Sequence, residues 1–248
     1  MELAAVVYIS SEFTGRVRLP VFPYLLEKLI SCRYNPSAQL PELSRLIGMD
    51  PALSFMALRL QCAMEPADER VQSNGIEAAV DQIGMAGVDF ILSQALTEAA
   101  DGIHRQRGLA LEWLWRHALT TALLAREIAL ALNDQPVEEA YVAGLLLDIG
   151  KLALFARTPA ACAPMLADSA QALTLLEAEA RVVGSGHDRI GAHLIRRHTP
   201  LWFAADAVAY HTAAAVDVHQ AFPLVKIVWA AKRLAAEPSP SPENLQAT

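Results

Sequence analysis

Apolar residues recur along most of the chain at spacings of three and four, and proline, glycine or a capping acid separates one run from the next. Leu19-Pro20-Val21-Phe22-Pro23 opens a helix with Leu25, Leu26, Leu29 and Ile30 on one face, and Asn35-Pro36 breaks it. Pro41 lies near the first turn of a second helix, whose inner face is Leu43, Leu46 and Ile47. Asp50-Pro51 joins a capping acid to a proline at the first helical position. The helix it begins buries Leu53, Met56, Ala57 and Leu60. After the Asn74-Gly75 turn, Ile76, Ala79, Val80 and Ile83 mark a short helix ending at Gly84, and a further helix spans about Gly87 to Ala99. Asp101-Gly102 and the basic stretch Ile103 to Gly108 close this half, which sets a subdomain boundary between residues 108 and 109.

The second half begins with a long helix, about Leu111 to Leu132, on which Trp113, His117, Thr121, Leu124 and Ile128 fall in line. His117 is therefore expected on the buried face. The next helix runs from Pro136 through Val142 and Leu145 to Asp148, where Gly150 stops it, and Lys151-Leu152 carry a further turn or two to Phe155. Thr158-Pro159 starts another helix, and Ala170 to Val183 forms the next, ending at Gly184-Ser185-Gly186. His187-Asp188 opens a helix containing Ile190, Leu194 and Ile195; Pro200 begins one that reaches Tyr210-His211; Pro223 opens the last, with Val225, Val228 and Leu234. Residues 1–18 form a separate N-terminal segment, with a short strand as one reading of Leu3 to Ile9, and residues 237–248 read as a flexible tail.

Composition supports this helical reading. Hydrophobic residues make up 54% of the 248, rich in alanine and leucine and poor in the β-branched residues a sheet protein needs. A net charge of −7 suits a cytoplasmic protein and argues against general affinity for nucleic acid or anionic membrane. No apolar run approaches the roughly 20 residues of a bilayer span, and the N-terminus lacks the basic start of a signal peptide. Cys32, Cys62 and Cys162 read as reduced core thiols. Met49, Met56 and Met64 are spaced as core residues, and the four tryptophans read as core or interface.

The chemistry gathers in the second half. A carboxylate at the end of the run Gly144-Leu145-Leu146-Leu147-Asp148 needs a cationic, hydrogen-bonded or metal partner, since isolated charge in a core is costly. His117, Asp148, His187 and His211 each have an ordinary structural reading: a core histidine, a helix start, a helix end. Together, one per helix, they look like a convergent cluster whose imidazoles and carboxylate would suit zinc, iron or manganese. For Asp148 the simplest metal-free partner is a cationic His117, with Lys151 the other candidate. No Gly-rich phosphate loop, nucleophile elbow or His-Glu-x-x-His motif occurs.

These residues also carry a resemblance. Leu19-Pro20-x-x-Pro23, Asp50-Pro51-Ala52-Leu53 and Ile76 to Gly84 resemble the opening motifs of the HDOD family (HD-related output domain), and Trp115-Arg116-His117-Ala118 resembles the helix bearing the first HD histidine. Ala143-Gly144-Leu145-Leu146-Leu147-Asp148-Ile149-Gly150-Lys151 resembles the segment that names the HD phosphohydrolase superfamily, His187 to Ala192 its "H-x-x-V-G-A" segment, and Ala209-Tyr210-His211 the place where many members have two histidines. The resemblance covers residues 19–236. It implies an all-α protein of two packed helical subdomains, 19–108 and 109–236, the second a degenerate HD fold.

Departures from the pattern bear on function. The HD metal set takes a first histidine, a His-Asp pair and a late aspartate; here Leu147 stands in the pair, Ala231 at the late position, and Tyr210 replaces one further histidine. Neither leucine nor alanine can hold a metal. The resemblance with these losses implies a non-catalytic bacterial signal-transduction or regulatory module, without catalytic or cofactor-binding residues. His117, Asp148, His187 and His211 would be a remnant HD pocket with room for one weakly held transition metal. The partners implied are signalling proteins, such as those with receiver or diguanylate cyclase/phosphodiesterase domains. A metal-dependent phosphohydrolase with a rearranged site, or a nucleotide sensor without hydrolysis, are the alternatives.

Overall fold

A computed structural model describes residues 18–64, 75–100, 108–133, 136–157 and 172–235. The N-terminal segment, the basic stretch at 103–107, the helix expected from Thr158-Pro159, Cys162 and the tail lie outside the described residues. Among the described residues every regular element is helical, as the apolar periodicity requires. None of these helices is long and apolar enough to cross a membrane.

The first four helices are α1 (Pro23–Arg33), α2 (Leu40–Gly48), α3 (Pro51–Met64) and α4 (Ile76–Ala100). Their entry depends on Asp50. The buried carboxylate of this residue accepts the Leu53 N–H at 2.8 Å, capping α3, and the Phe22 N–H at 2.7 Å, fixing the segment that leads into α1. The Phe22 ring lies 4.8 Å from that of Trp115, so the same segment also touches the second half. Gly84 interrupts α4 with φ 62° and ψ −170°. A Cβ there would meet nothing within 4 Å, so the glycine is needed for its left-handed backbone rather than for space.

The second half holds α5 (Gly108–Ala131), α6 (Val137–Leu145), α7 (Ile149–Arg157), α8 (Ala172–Val183), α9 (His187–His198), α10 (Trp202–Tyr210), α11 (Ala215–Val218) and α12 (Pro223–Leu234). Helices α5 and α6 approach closely at Gly144, where a Cβ would lie 2.8 Å from the Cα of Ala122. The main buried apolar cluster among the described residues runs from Leu19 and Val21 through Leu53, Trp115 and Leu147 to Ala231, with a small second one at Ala118, Ala122 and Leu145.

Several sequence expectations need correction. Helix α6 ends at Leu145, so Asp148 lies in the turn before α7 rather than on the preceding helix. Nor does Gly150 stop a helix. It belongs to the first turn of α7, where a Cβ would fall 1.9 Å from the His187 carbonyl oxygen, so it is the close approach of α9 that requires glycine. Met64 and Leu234 are exposed because each sits in the last turn of its helix. Trp202 is exposed and Cys32 only half-buried. The short α11 had no apolar periodicity to announce it.

Burial raises the Asp50 carboxyl to about 6, against the lowering pull of the N–H groups of Phe22, Leu53 and Ala52. The folded protein therefore holds this proton more tightly than the unfolded chain does. The associated stability is full at low pH and is lost as pH rises from about 4 to about 6. Equilibrium unfolding across that interval should lose roughly 2–3 kcal/mol more in the parent than in Asp50→Asn; parallel pH profiles would contradict this.

Candidate functional site

The turn Leu146–Asp148 carries one carboxylate into the centre of the second half, and helices on every side supply what faces it. Leu146 and Leu147 close the turn through N–H bonds to Val142 and Gly144. The Asp148 carbonyl then accepts the Lys151 and Leu152 N–H groups as α7 begins. Lys151, one turn along, brings its ammonium to 2.9 Å from Asp148 Oδ1, a charge contact that lies off the hydrogen-bonding angle.

All four residues singled out in the sequence meet here. His117, from α5, places Nε2 3.7 Å from Asp148 Oδ2 and stacks on Trp113 with ring centroids 5.1 Å apart. His211, just past the end of α10, places Nε2 3.5 Å from Asp148 Oδ1. His187, the first residue of α9, places Nε2 4.0 Å from the same oxygen. The chain reaches His187 by ending α8 at Gly184, whose φ of 82° only glycine adopts readily. Asp148, His187 and His211 each offer one ligand atom within 4.8 Å of the others, and all three are buried.

Sequence reasoning missed two further members. Glu179 on α8 is 2% exposed, accepts the His187 backbone N–H at 2.7 Å and shares a second 2.7 Å hydrogen bond with His187 Nδ1. Its surroundings, Glu177 to Arg181, read as a solvated charged face, and only the i+8 return of the chain puts it inside. Lys232 lies on α12 beside the position examined for the late aspartate. Lys232 is one of three basic residues on that helix, with Lys226 and Arg233, and nothing in the sequence separates the buried one from the other two. Leu147 and Ala231 are fully buried.

Electrostatics select the partner of Asp148. Burial alone would raise its carboxyl, but Lys151, the His211 ring at 3.5 Å, His117 and Lys232 together hold it well below the usual carboxylate range. Burial lowers His117, with Lys151 and Lys232 adding to it and Asp148 opposing. Burial and Lys232 bring His211 down to about 3, and burial and Lys151 hold His187 well below its ordinary value. Lys232 falls to about 8 through burial and the charge of Lys151. The imidazoles are thus neutral near pH 7, and the expected cationic His117 gives way to Lys151 as the nearest countercharge.

Proton positions follow from the acceptors. The Val208 carbonyl lies 2.5 Å from His211 Nδ1 and can only accept, so the neutral ring has its lone pair on Nε2. That atom faces His187 Nε2 at 3.2 Å. In one arrangement His187 donates from Nε2 and accepts at Nδ1 from a protonated Glu179, whose carboxyl burial raises to about 7. In the other, Glu179 is ionised and accepts from Nδ1, and three lone pairs then converge between His187, His211 and Asp148. The first needs no metal. The second fits a single metal ion, with Glu179 and the Val208 carbonyl orienting the two rings from behind. Leu147 and Ala231, both fully buried, have no side-chain donor to add to Asp148, His187 and His211.

Comparison with known proteins agrees with this architecture. The HDOD domain model matches residues 19–213, and the chain belongs to the HDOD family. Its fold is similar to that of the MmoQ response regulator from Methylococcus capsulatus, with a TM-score of 0.72 and 22% identity over 88% of this chain and 85% of that one. A virulence factor from Campylobacter jejuni is similar over 90% of this chain and 80% of its own, with a TM-score of 0.61 and 18% identity. No curated protein sequence matches the chain.

Removing the carboxylate should be costly, since the ammonium groups of Lys151 and Lys232 would lose the countercharge they face in a closed site. Asp148→Ala is expected to lose roughly 3–5 kcal/mol in urea unfolding. A loss under about 1 kcal/mol would mean that the site is open to water and the ion pair idle.

Proposed function

We propose that the protein is a regulatory module of bacterial signal transduction that acts by binding a partner rather than by hydrolysis. The observation that carries this reading is the countercharge of Asp148. An ammonium stands 2.9 Å from a carboxylate that HD enzymes commit to metal, and apolar Leu147 and Ala231 fill the neighbouring ligand positions. Phosphate ester hydrolysis in such a site needs a metal-bound water and a positive centre for the phosphoryl oxygens. The HDOD scaffold is kept while that set is incomplete. The partners in this reading are signalling proteins of the receiver or diguanylate cyclase/phosphodiesterase type. A surface suited to them surrounds Phe222, 71% exposed, which is flanked by grooves of about 190 and 480 Å³ that also take in Trp202 and Tyr210.

A second reading rests on the convergent donors of Asp148, His187 and His211. These three would hold one divalent ion, which would polarise a phosphoryl oxygen and lower the pKa of a bound water. Metal analysis of the purified protein, with turnover of a generic phosphodiester, separates the two. The regulatory reading expects no firmly held transition metal and no turnover, in the parent and in Leu147→His alike. Tightly held metal, with turnover that Asp148→Ala abolishes, would overturn it.

A further inference from the structure

A cleft of about 510 Å³ lies away from the Asp148 pocket, between α2 and α4 of the first half and α5 and α6 of the second. It falls within the range of about 300–1,000 Å³ usual for small-molecule sites. The hydroxyl of Tyr141 on α6 donates to the Gly48 carbonyl at the end of α2 at 2.8 Å, so its walls are tied to one another across the two halves.

Three features of the lining point to a ligand. Ser44 on α2 is 4% exposed, yet its hydroxyl has no hydrogen-bond partner. A buried hydroxyl left unpaired costs stability, and Ser54, equally buried, avoids that cost by donating to the Ile47 carbonyl at 2.9 Å. Beside Ser44, Arg45 has no ion pair among the described residues, while Arg126 on α5 has only its sequence neighbour Glu127 at 3.8 Å and an unpartnered Nε. Glu77 on α4 and Glu138 on α6, both exposed, also line the cleft, and neither forms an ion pair with either arginine. Charges of both signs thus share one cleft without neutralising each other. Between them lie apolar Leu119 and Leu123, the latter 44% exposed.

We propose that this cleft binds a small zwitterion of the amino-acid class with an apolar side chain. Arg45 and Arg126 take its carboxylate, because guanidinium donors match a carboxylate in shape and charge. Glu77 and Glu138 take its ammonium, the Ser44 hydroxyl completes the polar contacts, and Leu119 and Leu123 cover the side chain. A ligand so held touches both halves of the protein. The site is separate from the Asp148 pocket and owes nothing to the metal ligands there.

Calorimetric titration of the full chain with leucine, methionine and phenylalanine tests this, with hydrocinnamate and phenethylamine as phenylalanine analogues lacking the ammonium and the carboxylate. At least one of the three amino acids is expected to bind. Phenylalanine should bind at least about tenfold tighter than either analogue, since each analogue leaves either the arginine pair or the glutamate pair without its countercharge. Arg45→Gln/Arg126→Gln, which alters exposed and half-exposed side chains, should weaken amino-acid binding by at least the same factor. Ser44→Ala should weaken it several-fold while leaving the unfolding temperature of the ligand-free protein unchanged or raised, the reverse of what a structural serine would do. Asp148→Asn should leave it unaltered. Absence of binding by all three amino acids overturns the proposal, as does equal binding of hydrocinnamate or an unchanged affinity in the double arginine variant.

Discussion

The second half of this protein depends on one buried negative charge. Asp148 is 2% exposed, and it would be untenable without countercharge. Lys151 supplies the nearest cation one turn along α7, Lys232 comes from α12, and His117, His187 and His211 arrive from α5, α9 and the end of α10. Elements far apart in sequence are thereby required to converge on a single turn. The Gly150 contact is part of that requirement, since α9 can bring His187 to the carboxylate only if α7 presents no side chain at that point.

The same arrangement fixes the rings around the carboxylate. The Lys151 ammonium faces Asp148, His187 and His211 meet through their Nε2 atoms, and Glu179 and the Val208 carbonyl hold the outer nitrogens of those two rings. Breaking such a buried pair is costly even where forming it adds little net stability, because the partner left behind stays charged. That asymmetry gives Asp148 a structural role of its own.

Much of this was legible in the sequence, and the residues show why. Helical periodicity, Pro23 and Asp50-Pro51 located the first helices, because capping and proline chemistry are local. His117, Asp148, His187 and His211 stood out as polar groups in apolar or helix-terminal settings, and the fold brings all four together. The end of α6 was misplaced because an apolar run cannot distinguish a helix from a buried turn. Gly150 was misread because a close approach between helices is a tertiary fact that leaves no local mark. Glu179 and Lys232 escaped because charge on an amphipathic helix is usually solvated, and only packing reveals the exceptions. The preference of Asp148 for Lys151 over a cationic His117 was likewise hidden, since it turns on how far burial lowers an imidazole.

A double-mutant cycle between Asp148→Ala and Lys151→Met, measured by equilibrium unfolding with and without a strong chelator, tests whether Lys151 rather than a metal balances Asp148. Balance by Lys151 predicts a coupling of about 1–3 kcal/mol that the chelator leaves unchanged. A coupling near zero, or a stability that falls when the chelator is added, would contradict it.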